Sequence, residues 1–263
     1  MTGPETYIHG TEPDEQQRLA ALNRLTNRAF VEFLDVRPGM HILEVGSGLG
    51  LLAAEVASSA ADVQVFGVER SPAQIASAVN ALNVRYVQGD AHSLEFEDER
   101  FDLVYARYLL EHVTEPVVVL REMRRVARQR GRVAACENDI TLLRLDPPCP
   151  AFERIWQAFQ QHQQTLGGDS QIGRRLYRLF HQAGLSHVQL SVQPEVHWHG
   201  SIGFAGWVQN VIGNIEGARR GLVDSGRCEQ AQVDDAVAEL ASFAQNSDAS
   251  SHFMWNRAFA VRS

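Results

Sequence analysis

Hydrophobic positions recur along the chain in two kinds of block, and their alternation sets the expected architecture. Leu19, Leu22, Leu25, Ala29, Phe30 and Phe33 repeat at three- and four-residue steps, which predicts an amphipathic helix begun near Glu12 or Asp14. Short runs dominated by apolar residues follow at Ile42–Val45, Val63–Val68, Val84–Val87, Phe101–Ala106 and Arg132–Cys136, the pattern of strands buried on both faces. Helical spacing fills the intervals. Leu51–Ala57 carries it after the first run, and Ser71-Pro72 supplies an N-cap and a first-turn proline for a helix expected to reach Leu82. Thr114 is expected to cap a helix that presents Val117, Leu120, Met123, Val126 and Ala127 until Gly131 stops it.

Strands alternating with helices at these lengths predict an α/β fold, a Rossmann-like doubly wound parallel sheet. The regularity breaks after Asn138. Residues 139–172 hold a Pro-Pro pair and a helix bearing Phe152, Ile155, Trp156 and Phe159, and residues 195–250 form a second irregular stretch with Trp198, Phe204 and Trp207. Between them a helix from Arg174 to Ala183 and a strand at Val188–Val192 are expected, and Phe253–Val261 reads as the last strand. The organisation expected is an arm and helix over 1–38, a core over 39–138, cap insertions at 139–172 and 195–250, and returns to the core at 173–194 and 251–263.

Composition narrows the chemistry. At 263 residues and 44% hydrophobic the chain can bury a full core, and its formal net charge of −8 disfavours nucleic acid or an anionic membrane as partner. Three widely spaced cysteines form no zinc spacing and no disulfide framework, so a reducing compartment is expected. No signal-peptide pattern opens the sequence and no run spans a bilayer, which together predict a cytoplasmic protein. His197-Trp198-His199 lacks a third ligand at a suitable spacing, so no metal site is expected.

The candidate chemistry centres on Glu44-Val45-Gly46-Ser47-Gly48-Leu49-Gly50, where a strand turns through glycines into a helix. The spacing is G-x-G-x-G, and Glu44 stands where a pyrophosphate would be repelled. A carboxylate there suits a ligand carrying an ammonium group, and S-adenosylmethionine is the ligand expected. The Gly46, Ser47 and Gly48 backbone is read as a source of donors and room. Glu69, 19 residues past Gly50, is placed to accept ribose hydroxyls, with Arg70 and Gln74 beside it. Asp90 can accept an adenine amino group or simply close an Asx-turn, with Ala91 and His92 offering backbone contacts. Arg107, past the fourth strand, is within reach of a ligand carboxylate.

With these stretches, and with Phe101-Asp102-Leu103-Val104 and Arg107–Pro116, the chain resembles the class I S-adenosylmethionine-dependent methyltransferases of small-molecule type. The resemblance implies a seven-stranded sheet whose last strand is antiparallel and inserts beside the fifth, with an N-terminal arm or helix and a helical cap built from insertions after strands five and six. Tyr7-Ile8-His9-Gly10-Thr11 looks like the arm that folds over the cofactor in some members, which makes Tyr7 a lid or a partner of the acceptor. The sulfonium makes the methyl carbon electrophilic, so in-line alignment and exclusion of water carry the reaction to an O, N or C atom of a small organic acceptor. His112 is the candidate base where the acceptor arrives protonated, its alternative role being a helix cap. Trp156, Phe159, Trp198 and Trp207 either line the acceptor pocket or pack the cap. A homodimer is compatible with the sequence. The alternatives are a cofactor-binding but catalytically idle partner subunit, and methylation of a protein.

Overall fold

The computed structural model describes residues 13–263, with side chains described from residue 18 onward. The expected Tyr7 arm lies outside the described residues. In chain order the elements are α1 (Pro13–Leu34), β1 (His41–Val45), α2 (Leu51–Ser58), β2 (Gln64–Glu69), α3 (Pro72–Ala76), β3 (Val84–Gln88), β4 (Phe101–Arg107), α4 (Pro116–Val126) and β5 (Ala127–Glu137). They continue as β6 (Arg144–Asp146), α5 (Pro150–Thr165), α6 (Leu176–Gln182), β7 (Ser186–Trp198), α7 (Phe204–Asp224), α8 (Gln230–Gln245) and β8 (Ser250–Val261).

The chain divides into two compact units. One, the sheet unit, takes residues 26–139, 171–193 and 255–263. Its strands run in the order β3-β2-β1-β4-β5-β8, with β7 paired to β8. β1 through β5 are parallel, and β8 enters antiparallel, Val133 opposite Ala260 and Ala135 opposite Ala258. Parallel strands covered on both faces must be apolar throughout, and β1 and β4 are buried over nearly their whole length. Leu43, Val45, Val104, Ala106, Val133 and Ala135 pack beneath Leu120 and Met123 of α4 and Phe180 of α6. The doubly wound sheet with its last strand beside the fifth is therefore present.

The other, the helical unit, takes residues 140–170 and 194–254 together with the described residues up to 25. α5, α7 and α8 form its body, burying Ile155, Phe159, Ile215, Leu222, Val233 and Leu240. α8 opens on a capping box, Glu229 and Gln232 each accepting the other's backbone amide.

Three expectations need correction. Among the described residues the sheet has eight strands, not seven, because Arg144–Asp146 pairs antiparallel with Ser250–His252 as β6. α3 ends at Ala76 rather than Leu82; Asn80 and Asn83 compete with helical bonds, and Leu82 is fully exposed with no apolar face to join. β7 runs to Trp198 rather than Val192. Its alternation is reversed: Gln193, Glu195 and His197 are buried while Leu190, Val192, Val196 and Trp198 are exposed, so an apolar-in pattern does not reveal it.

Candidate functional site

The glycine turn sits at the carboxyl ends of the parallel strands. Gly46, Gly48 and Gly50 all take positive φ, which a side chain would oppose. Gly50 is the tightest: a Cβ there would lie 2.0 Å from the Tyr86 hydroxyl, which donates to the carbonyls of Gly50 and Val79. Ser47 fills the space above Gly67, where a Cβ would meet Ser47 Oγ at 2.7 Å. The turn's amides are engaged within the protein. Gly46 and Ser47 donate to the Val68 carbonyl, Gly50 to that of Ser47, and Gly48 to Glu69 Oε2 at 3.0 Å. Against the expectation of a donor-rich loop, the Gly46, Ser47, Gly48 and Gly50 amides are thus engaged in holding the turn's own shape.

Glu69 ends β2 with one carboxylate oxygen on the Gly48 amide and the other on the Ser71 amide at 2.9 Å. Gln74 lies against the turn, its Oε1 3.2 Å from where a Gly48 Cβ would be, and the Arg70 carbonyl accepts from Gln88. Asp90 is exposed. Its Oδ1 accepts the His92 amide at 2.9 Å and faces His92 Nδ1 at 2.8 Å, with Ala91 between them. The His92 amide holds the Asp90 carboxyl below its ordinary value. Of the two readings of Asp90, the Asx-turn describes this geometry.

Glu44 is the unusual group. It is 4% exposed, and its Oε2 is buried with no hydrogen-bond partner. Burial pushes its carboxyl up to about 8, opposed by the Arg107 charge and by its neighbours, the Tyr105 hydroxyl and the Ala53 amide. The same burial, with Glu44 beside it, raises Tyr105 well above its ordinary value. A buried carboxylate oxygen without a partner costs free energy, and a ligand cation relieves that cost. Arg107 ends β4 with its guanidinium turned toward α1, where it donates to Thr26 Oγ1 at 3.2 Å and Asn27 Oδ1 at 2.5 Å and lies 5.5 Å from the Phe30 ring centroid. Asn27 in turn donates to Glu55 of α2 at 2.7 Å.

After β4 the chain makes a short 3-10 turn, Leu110–His112. His112 is one-fifth exposed, its Nε2 3.7 Å from Glu111 Oε1. It opens no helix, since α4 starts at Pro116 behind Glu115.

A family model described as a methyltransferase domain matches residues 43–135, the glycine turn through β5. A demethylmenaquinone methyltransferase of Beutenbergia cavernae is 31% identical over 141 residues, covering 53% of this chain and 55% of that protein. The O-methyltransferase resE of Aspergillus sclerotiorum is 31% identical over 170 residues, covering 61% and 62%. Residues 43–135 thus match a methyltransferase domain, and the chain is similar over that stretch to the class I S-adenosylmethionine-dependent methyltransferases. It spans little more than half the length of the curated relatives it matches. Among solved structures, the YcgJ protein of Bacillus subtilis superimposes with a TM-score of 0.58 at 18% identity, covering 90% of this chain and 97% of that one. A phosphoethanolamine N-methyltransferase 2 of Haemonchus contortus, solved with S-adenosyl-L-methionine, gives 0.55 at 20%, covering 94% and 52%.

The aromatic candidates all fall in the helical unit. Trp156 stacks on Phe159 at 5.1 Å and donates its Nε1–H to the Ile140 carbonyl. Trp198 is 58% exposed. Trp207 is 2% exposed, donates to Ser251 Oγ at 2.7 Å, and stacks on His197, whose Nε2 meets Glu195 Oε1 at 2.6 Å. That is packing inside the unit. Among the described residues no group of His, Cys, Asp and Glu is placed to hold a metal, and no helix is long and apolar enough to cross a membrane.

Sequence reasoning passed over a buried polar cluster behind His112. Glu111 is 5% exposed and accepts from Asn138 Nδ2 at 2.8 Å on both carboxylate oxygens. Glu137 is fully buried at the end of β5 and accepts the Leu109 and Leu110 amides at 3.1 and 2.9 Å. Burial, with the Glu111 charge second, raises the Glu137 carboxyl well above its usual range. The run Glu137-Asn138-Asp139 directly after Ala134-Ala135-Cys136 was the available signal: three polar residues at the mouth of a buried strand.

Proposed function

We propose that this protein transfers a methyl group from S-adenosylmethionine to a small organic acceptor. The observation carrying the cofactor half of that reading is Glu44, whose buried, unpartnered oxygen beside a glycine turn suits the ammonium of an amino-acid tail. The bound cofactor supplies an electrophilic methyl carbon on a sulfonium. In this reading Gly46, Ser47 and Gly48 leave room for the tail and Glu69 receives the ribose hydroxyls, with Arg70 and Gln74 closing that side. Asp90, Ala91 and His92 border the adenine. Arg107 acts from behind, held by Thr26 and Asn27, as the positive charge that helps Glu44 ionise. Tyr7 remains the expected lid.

His112 takes the acceptor's proton where the acceptor arrives protonated. Residues 139–172 and 195–250 are the candidate acceptor stretches, with Trp156, Phe159 and Trp198 as candidate aromatic contacts, while Trp207 packs on His197 and donates to Ser251. Relatives named as a demethylmenaquinone methyltransferase, as a C-methyltransferase of ubiquinone and menaquinone biosynthesis and as an O-methyltransferase favour a hydroquinone or phenol as acceptor class. The fold alone does not decide the reaction, since a protein named as a [4+2]-cyclase superimposes with a TM-score of 0.53.

Titration calorimetry with S-adenosylmethionine and S-adenosylhomocysteine tests the cofactor half. Methyl transfer to a panel of hydroquinones, phenols, amines and indoles tests the acceptor half. Binding of neither nucleoside, with uptake of a nicotinamide dinucleotide, overturns the reading. Tight cofactor binding without turnover, together with a stable hetero-complex by light scattering, favours an idle partner subunit instead.

A further inference from the structure

Pro194–Trp198, the end of β7, and Ser250–Met254, the start of β8, both belong to the helical unit, and β7 pairs with β8. A sheet surface left to water ordinarily turns its polar side chains outward and its apolar ones inward. This end of β7 does the reverse. Glu195 and His197 are buried, while Val196 and Trp198 stand 44% and 58% exposed. The inward side is satisfied: His197 Nε2 meets Glu195 Oε1 at 2.6 Å, and the imidazole stacks on Trp207. Slipping the strand by one residue would bring the apolar side chains in but carry His197 off Trp207, so the register holds the apolar face out.

That face extends beyond the strand. Met254 of β8 is 40% exposed, and Ile202 is fully exposed in the turn after β7. Ser201 ties this turn to the strand end, its amide donating to the Trp198 carbonyl at 2.9 Å and its Oγ accepting the Trp198 amide at 3.1 Å. Val196, Trp198, Ile202 and Met254 together show on the order of 500 Å² of apolar side chain, which is the apolar share of a standard interface of about 800 Å² per partner. From Val196 to Gly203 and from Ser250 to Met254 there is no Asp, Glu, Lys or Arg, in a chain of net charge −8. A two-fold contact sets each patch against itself, which an uncharged patch permits and a patch of one sign opposes.

We propose that two copies of this chain associate through this face, Val196, Trp198, Ile202 and Met254 of each copy covering those of the other about a two-fold axis. The association does not depend on the methyl-transfer reading, and it gives Trp198 a use other than contact with an acceptor.

The test is the mass of the full chain by light scattering and sedimentation over about 1 to 100 μM, where an interface of standard size is expected to hold. Ile202→Lys and Val196→Lys place a charge on the face. Leu82→Lys is the control, since Leu82 is also fully exposed but lies in the sheet unit. The unsubstituted protein is expected at twice the 29.3 kDa chain mass. Each patch variant is expected to raise the dissociation constant at least about tenfold, because association would bury an unpaired charge, and Leu82→Lys to match the parent. Circular dichroism checks folding; where Val196→Lys does not fold, Ile202→Lys decides alone, its side chain touching nothing that folding requires. A single-chain mass for the parent throughout the range overturns the proposal. So does a dimer that folded Ile202→Lys leaves at full strength. A single-chain parent that binds phosphatidylcholine vesicles, and loses that binding in Ile202→Lys, overturns it as well and assigns the face to a lipid surface.

Discussion

Filling the cofactor site should expel a proton, and Glu44 sets how much. With its carboxyl pushed up to about 8, Glu44 is about 0.9 protonated at pH 7 in the empty protein. An ammonium seated on it forces ionisation, so binding releases close to one proton from this group. At pH 9 the same group is already about 0.9 ionised and the release falls to about 0.1. The assay is titration calorimetry with S-adenosylhomocysteine in two buffers of different ionisation enthalpy. The proton count in Glu44→Gln is subtracted from that of the unsubstituted protein, so protons exchanged by the ligand's own amine cancel. The substitution should also weaken binding by at least tenfold, since an ionic hydrogen bond is lost. Stability moves the other way. A carboxyl with a raised folded-state value keeps its proton on folding, so the unsubstituted protein loses stability as pH climbs from about 4.5 toward 8. At pH 7 the loss is about 3 kcal/mol at most. Glu44→Gln in urea should therefore equal the parent near pH 4 and exceed it at pH 7. Equal proton counts in the two proteins, or a Gln variant less stable at pH 7, would refute the reasoning.

Gly50→Ala places a methyl group on the Tyr86 hydroxyl at positive φ, and urea unfolding should show a loss above about 2 kcal/mol. Asn27→Ala removes the link from Arg107 to Glu55 and should cost about 2 kcal/mol by the same measurement, together with weaker cofactor binding. Glu137→Gln keeps the acceptor that holds Leu109 and Leu110. The parent carries a raised carboxyl there and loses stability as pH rises above the ordinary carboxyl range, so the variant should gain on it with rising pH in thermal melts. Trp207→Phe keeps the stack on His197 but loses the Ser251 bond, a cost of about 1 kcal/mol in chemical denaturation.

Much of the sheet unit was legible because its signals are local. Glu44-Val45-Gly46 announces a strand ending in a turn, and Phe101–Ala106 is too apolar to lie anywhere but inside. What was not legible depended on partners distant in sequence. Arg144-Leu145-Asp146 has no strand pattern of its own and is a strand because β8 offers an edge. β7 hides its polar side chains and shows its apolar ones, inverting the cue used to find strands. The site divides similarly. Glu69 and the glycine turn stand out by spacing, whereas Glu111 gives no local cue and Glu137-Asn138 only that of polar residues ending an apolar strand. Only the crossing of β5 with the turn after β4 makes them a buried cluster.

Ser47, Gly67 and Tyr86 occupy one small volume: a Cβ on Gly67 would stand 2.8 Å from Ser47 Cβ and 2.8 Å from the Tyr86 ring. These three positions cannot drift independently. A lineage acquiring alanine at 67 would need to shrink both 47 and 86 in the same step or nearly so, and each intermediate would collide or leave a void. The turn is thereby insulated from gradual change by the residues packed beneath it.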